Sequence, residues 1–487
     1  MISIKPFLFF LVAVFTCTSS ISSYYRTEKK PNVIVIFVDD LGYGDLGCYG
    51  SPTKTPYIDQ LALEGSKFNN FYVPVPVCSA SRAALLTGCY PARIGIPGVL
   101  FHKDTIGINT QEYTLAEMFR DKNYKTACIG KWHLGWQKSF LPLQHGFDYF
   151  FGLPYSNDMW PRSDIDGSPV KPNSYKSNLP ELSLIRQNTA VESITSMDDQ
   201  GKLTRRYTEE ALAFIKQNRK KPFFLYLAHS MPHIPLGVTS GFNNKNQTLY
   251  ANVVNEIDWS VAQITKQLER LDLTDDTIII FTSDNGPWLN YGNHAGSTGG
   301  LREGKGTCWE GGVKVPFIIR WPNKIPANYE NSGLASTLDI MPSLNKIING
   351  KQPDLPIDGI DLSESWLNKK VNSKREFIAY YNQKYKLEAV RKDHWKLILP
   401  HTYRSYNTIR GNNGNKGKRV PISIQSPELY NLKTDPFESI NISNSHPEIV
   451  KLLMDFANQT RQQFGDELTK IKGTMIRPAG IHSRINP

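Results

Sequence analysis

The run Val33-Ile34-Val35-Ile36-Phe37-Val38 is apolar at both parities. A strand with one wet face alternates apolar and polar residues, so a run without alternation predicts a strand covered on both sides, as in a parallel sheet between helix layers. Similar runs recur in "KTACIG" (125–130), "PFFLYLAHS" (222–230), "DTIIIFTSDNG" (276–286) and "VPFIIRWP" (315–322). Between them lie the helical patterns "TLAEMFRDKNY" (114–124), "TRRYTEEALAFIKQN" (204–218) and "YANVVNEIDWSVAQITKQLERL" (250–271). This succession predicts an α/β sandwich around a large, mostly parallel central sheet, occupying residues 31–375. From 376 to 487 the texture changes to short antiparallel strands, as in "REFIAYYNQKYKLEAVRKDHWKLILP", closed by a helix over 446–464. That region reads as a smaller C-terminal subdomain. The polar stretch 158–203 reads as a long surface insertion.

The first residues, "MISIKPFLFFLVAVFTCTSSISS", pair Lys5 with an apolar run too short to span a bilayer. Residues 1–23 are therefore expected to be a signal peptide, with a lipid anchor at Cys17 as the alternative. The expected location is secreted, periplasmic or cell-surface, or lysosomal in a eukaryote. No other segment is long and apolar enough to be transmembrane. Lys and Arg exceed Asp and Glu by 56 to 45, a net charge of +11, and a basic field favours anionic ligands. Without a long basic run, zinc-finger spacing or a basic helix with interleaved aromatics, nucleic acid is not the expected partner. Beyond Cys17 the chain has five cysteines, Cys48, Cys78, Cys89, Cys128 and Cys308. An odd number in an exported chain flags one with a task other than pairing. Cys78 is the candidate, and pairing among the other four is left open.

Polar residues cluster where the apolar runs stop. The first ends in Asp39-Asp40, the run at 276–286 in Asp284-Asn285-Gly286, "TACIG" in Lys131-Trp132-His133, and "FFLYLA" in His229 with His233 four residues on. Taken singly, an Asp-Asp or Asp-Asn-Gly is an ordinary turn signal, and a lone His or Lys is more often structural. Jointly they gather at strand carboxyl ends, where open α/β sheets bind ligands. Three carboxylates and one amide oxygen suit a hard divalent cation, Ca²⁺ or Mg²⁺. The stretch "GSTGGLREGKGTCWEGGVKVP" (296–316) fails as a phosphate loop because Gly306, not Ser or Thr, follows Lys305. It reads instead as a loop carrying Lys305 toward an anion. In "CSASRAALLTG" Arg82 lies four residues after Cys78, one helical turn, so the two share a face. If Ser79 begins that helix, Cys78 stands at its N-terminus, a setting that favours anions. Arg82, Lys131 and Lys305 together suit a doubly charged tetrahedral anion or its ester.

The ordered motifs "CSASRAALLTG", "GKWHLG", "SDNG" and "GKGTCWEGG" resemble those of the type I, formylglycine-dependent sulfatases, which are arylsulfatase-like enzymes on the alkaline-phosphatase fold. The resemblance runs from "PNVIVIFVDDLGYGDLGCYG" to "ELYNLKTDP". It implies a sulfatase that cleaves sulfate monoesters; the leader and the basic charge make export and a sulfated carbohydrate or polysaccharide substrate the expectation. It implies that a formylglycine-generating maturation enzyme oxidises Cys78 to Cα-formylglycine. Hydrated to a gem-diol, that group accepts the sulfo group on one oxygen and expels it with the other. Carried over residue by residue, Asp39, Asp40, Asp284 and Asn285 are the cation ligands, and Ca²⁺, with Mg²⁺ as the alternative, is the cofactor. Arg82 and Lys131 hold the formylglycine, and His133 is the base. Lys131, His233, Lys305 and Ser156 contact the sulfate, His233 and Lys305 also protonating the leaving alcohol. His229 is a further pocket residue by position. The family signature usually has proline two residues after the cysteine, where this chain has Ala80. Two rival readings share these residues: a phosphate or phosphonate monoester hydrolase, and a silent sulfated-glycan-binding protein in which Cys78 stays a thiol.

Overall fold

The structure, a computed structural model, describes residues 29–406 and 409–482, so the leader and Cys17 lie outside the described residues. Its centre is a ten-stranded sheet. Five neighbouring strands run parallel, in the order Thr277–Ser283, Asn32–Val38, Phe223–Ala228, Lys125–Lys131 and Tyr149–Leu153. Beyond Thr277–Ser283 come Phe317–Arg320, Ser66–Phe68 and Tyr329–Asn331; beyond Tyr149–Leu153 come Leu182–Arg186 and Thr189–Ile194.

The two-sided apolar run at 33–38 is used as its composition requires. Val33, Val35 and Phe37 enter one core, beneath the helices Cys78–Thr87, Leu115–Asp121 and Ile340–Ile347. Ile34, Ile36 and Val38 enter the other, beneath Pro56–Glu64, Met197–Asn218 and Leu249–Arg270. Each such side chain withdrawn from water contributes about 1.5–3 kcal/mol. The C-terminal region forms its own antiparallel sheet, Phe377–Asn382, Lys386–Lys392, Trp395–Ile398 and Glu428–Asn431. Helix Pro447–Phe464 buries Leu453, Ala457 and Phe464 in the first of the two cores.

Three expectations change. The stretch 158–203 is not simply a surface insertion, because Leu182–Arg186 and Thr189–Ile194 pair as a hairpin that widens the main sheet. Its outer strand is exposed at five of six positions, so it lacks the apolar run that marks a covered strand. The helix expected from 204 starts at Met197, where the Ser196 hydroxyl accepts from the Asp199 N–H and two aspartates occupy the first turn. Finally, Cys48, Cys78, Cys89, Cys128 and Cys308 are all free thiols. An odd cysteine count therefore does not set Cys78 apart; its position does.

Gly130, the last residue before Lys131, has φ +111° and lies between Ala228 and Gly152 on the flanking strands. A Cβ there would stand 1.9 Å from the Ala228 carbonyl oxygen. Gly130→Ala is therefore expected to cost about 2–5 kcal/mol from strain and overpacking. An unchanged urea midpoint would contradict this.

Candidate active site

Because five strands run parallel, their carboxyl ends share one edge of the sheet. Register places Val38 beside Ser283, Phe37 and Gly130 beside Ala228, and Lys131 beside Leu153. The chain leaves these tips at Asp39-Asp40, Asp284-Asn285, Trp132-His133 and the segment to His233. Asp40 and His133 both take left-handed backbone, at φ 62° and 61°, a costly conformation for non-glycine residues that concentrates at functional sites.

The charged groups form one buried network. Arg82 is fully buried and donates to the Asp284 Oδ2 at 2.8 Å and the Lys131 carbonyl at 2.9 Å, with Asp39 Oδ2 at 3.3 Å. Lys131 Nζ pairs with Asp39 and donates to the Ser156 hydroxyl at 2.9 Å. Lys305 Nζ lies 2.6 Å from Asp40 Oδ1, and His233 Nε2 lies 3.7 Å from Asp40 Oδ2. The Asp40 N–H donates to Asp284 Oδ1 at 3.1 Å, and the Asn285 amide to Asp40 Oδ1 at 2.6 Å. Burial alone would push the Asp39 carboxyl up, but Lys131, His233, Arg82 and Lys305 hold it far below the usual carboxylate range. Asp284 goes the other way: burial and the charge of Asp39 outweigh Arg82 and raise it to about 7.

Three buried oxygens in this network have no hydrogen-bond partner: Asp39 Oδ1, Asp40 Oδ2 and Asn285 Oδ1. Asp39, Asp40 and His233 offer ligand atoms within 4.8 Å of one another. Orphaned hard oxygens on Asp39, Asp40 and Asn285 are a donor set that fits a divalent cation. Asp284 is less free, since each of its oxygens already accepts one hydrogen bond.

Cys78 is the first residue of helix Cys78–Thr87, one position earlier than expected, with Val77 before it in extended conformation. Its surroundings are cationic from Lys131 and Lys305, yet burial dominates and pushes the thiol up. The sulfur therefore stays protonated and is a poor thiolate nucleophile. It lines an open cleft of about 460 Å³ together with His133, Ser156, His233 and Lys305. His133 Nε2 lies 2.9 Å from the Leu100 carbonyl, which can only accept, so Nε2 carries the proton and the unpartnered Nδ1 presents a lone pair. Burial, with Lys131 and Arg82, holds His133 well below the ordinary histidine range.

Every proposed site residue except His229 belongs to this cleft or to the network beneath it. His229 does not line the cleft: Ser260 is 3.2 Å from its Nε2, and burial lowers it to about 3. The cleft also includes residues not singled out in the sequence. Asp158 follows Ser156 by two positions, with Oδ1 buried and unpartnered. Trp288 packs at a tilt against His233, with ring centroids 5.5 Å apart, and lies under Lys305 Nζ at 4.7 Å. Both are close in sequence to motif residues. Asn382 and Tyr406 carried no local signal; they come from the C-terminal region and hold the Lys305 loop. The Tyr406 hydroxyl donates to the Lys305 carbonyl at 2.8 Å, and the Asn382 amide to the Gly306 carbonyl at 2.9 Å.

The class is thus an α/β protein that receives a small oxyanion or its ester at the carboxyl edge of a parallel sheet. Residues 31–350 match the Sulfatase family, and 373–479 match the C-terminal region of aryl-sulfatase. Arylsulfatase A of Bos taurus is 34% identical over 451 residues, covering 90% of this chain and 88% of that protein. N-acetylgalactosamine-6-O-sulfatase of Bacteroides thetaiotaomicron is 32% identical over 492 residues, covering 90% and 94%. Among solved structures, the PsFucS1 sulfatase from Pseudoalteromonas sp. superimposes with a TM-score of 0.80 at 28% identity, covering 93% of this chain and 92% of that one. The chain belongs to the sulfatase family and is a sulfuric ester hydrolase of the arylsulfatase-like type.

Removing Arg82 would leave Asp39 and Asp284 facing each other with one cation fewer. Arg82→Ala is expected to lower stability by about 3–5 kcal/mol, the cost of breaking a buried charge pair from one side. Equilibrium urea unfolding checks this, and a loss under about 1 kcal/mol would show that the network tolerates the missing charge.

Proposed function

We propose that this chain is an exported sulfatase acting on a sulfated carbohydrate, with Cys78 as the precursor of its nucleophile. The observation that carries the reading is a buried, protonated cysteine at a helix N-terminus, facing a cleft between two lysines and a set of orphaned carboxylate oxygens. A thiol so placed has little reactivity of its own. Converted to formylglycine by the maturation enzyme, the position supplies a hydrated aldehyde whose two hydroxyls serve attack and release. Asp39, Asp40, Asp284 and Asn285 would hold Ca²⁺, or alternatively Mg²⁺, which supplies positive charge for the sulfate oxygens and the nucleophile.

The chain's own groups divide the remaining work. Arg82 and Lys131 anchor the base of the cleft and, through Asp39 and Ser156, orient one another. His133, neutral and with a free Nδ1, is the base that takes a proton from position 78. Lys305 stays charged because its acidic neighbours together, Asp40 foremost with Asp39 and Asp284, outweigh its burial, so it holds a proton across the neutral range and can pass it to the departing alcohol. His233 donates Nδ1–H to the Ile234 carbonyl at 2.6 Å, leaving Nε2 toward the cleft, where an arriving sulfate's charge favours its protonation. The carbohydrate reading draws on the charged and polar side chains among those lining the cleft and on relatives whose names specify sulfated amino sugars. Export rests on the leader at 1–23. No described helix is long and apolar enough to cross a membrane.

Mass spectrometry of the Cys78 peptide, from protein made alongside the maturation enzyme, is expected to find the aldehyde despite Ala80. Cys78→Ala should lower kcat/KM for sulfate esters by about 10³-fold or more. An intact thiol in active protein would overturn the precursor reading, and faster turnover of phosphate than of sulfate monoesters would reassign the reaction. Stripping divalent ions should abolish turnover, with Ca²⁺ restoring it; full activity in chelator would exclude the cation.

A further inference from the structure

Resting on the sulfatase reading, we infer that the outer wall of the cleft is built to bind a second anionic group of the substrate, adjacent to the sulfate that is cleaved. That wall comes from the C-terminal region and carries Lys384, Lys386, Arg404 and Arg419. The inner cations are already matched: Lys131 pairs with Asp39 and Lys305 with Asp40, and both face the position of the scissile sulfate. The outer four make no ion pair among the described residues. Glu467, the acidic neighbour of Lys384 and Lys386, is itself paired with Lys470. Glu388, the carboxylate on the same wall, is buried and bound to the Asn382 amide at 2.9 Å.

The wall has a defined shape rather than being a diffuse basic surface. In the hairpin strand His401–Ser405, Thr402 and Arg404 are exposed while Tyr403 and Ser405 are buried, and Arg404 is one of the exposed residues that line the cleft. Arg419, one residue before the partner strand Val420–Ile424, stands beside Tyr406, whose hydroxyl holds the Lys305 carbonyl. Lys384 and Tyr385 take consecutive left-handed conformations, at φ 59° and 58°, and the Lys384 N–H donates to the Pro97 carbonyl, docking this turn on the rim. Two non-glycine residues held in that region indicate a turn over-determined by its surroundings. The volume, about 460 Å³, corresponds to roughly fifteen waters. It takes more than a lone sulfate group.

A general basic field would accelerate every anion alike, whereas a second subsite separates substrates by charge number. The test compares kcat/KM on a monosulfated disaccharide with a neutral neighbouring sugar, its disulfated analogue and its uronate analogue. The wild-type enzyme is expected to prefer one or both dianionic compounds by about tenfold or more, the better of the two identifying sulfate or carboxylate as the second group. The variants R404A and K384A/K386A should each lose about tenfold on that compound and less than twofold on the monosulfated one. Equal losses on all three, or none, would overturn the subsite. If the wild-type enzyme fails on the monosulfated ester, the sulfatase reading fails instead. Calorimetric titration of the disulfated disaccharide into Cys78→Ala protein, with and without R404A, then still decides whether the wall binds it.

Discussion

Behind Cys78, two carboxylates and two cations face one another with no access to water. Asp39 and Asp284 would each disfavour ionisation if buried alone, and each repels the other; Arg82 and Lys131 make the group tolerable by sitting between them. Buried charges of this kind gain little net stability over well-packed apolar residues. What they provide is a fixed field. Any rearrangement would leave an uncompensated charge in a low-dielectric interior, so strand tips, helix and loop are locked in one arrangement.

From that constraint the remaining architecture follows. Helix Cys78–Thr87 is buried along its whole length although it contains two serines and an arginine, because Arg82 must reach the sheet's carboxyl edge. The glycine-rich segment is fastened on several sides. Its Lys305 N–H donates to the Pro287 carbonyl at 3.0 Å and its Gly306 N–H to the Pro76 carbonyl at 2.9 Å. Farther along, Glu310 receives Lys396 at 2.9 Å and the Tyr72 hydroxyl at 2.8 Å. Glu438, itself 2.9 Å from Lys396, accepts from the Glu310 N–H at 2.7 Å, so Glu310 joins the C-terminal sheet to the segment that carries a site cation. The C-terminal region is therefore part of the cleft's construction, as well as its outer wall.

Much of this was legible beforehand because the physics is local. A short β-branched run apolar at both parities reads as a doubly covered strand, and four of the five such runs, all but the antiparallel Phe317–Arg320, supply parallel strands whose tips converge. Asp39, Asp40, Asp284, Asn285, Lys131 and His133 all stand within two residues of a strand end, which is why the apolar pattern pointed to them. The Leu182–Ile194 hairpin was not legible, since an edge strand exposed at most positions has no apolar signature. His229 shows the opposite failure: strand-tip position alone placed it in the pocket, whereas its side chain turns into the protein toward Ser260.

By itself, then, the sequence determined the buried heart of the sheet, most of the groups at its carboxyl edge and the helix that presents Cys78, since each depends on periodicity and spacing along neighbouring residues. Tertiary structure alone decided which oxygens remain orphaned, that the thiol stays protonated, and that Tyr406, Asn382 and a wall of lysines and arginines more than 70 positions beyond Lys305 close over the same cleft. Those properties depend on burial and on contacts between distant segments, and neither is written in any local stretch of the chain.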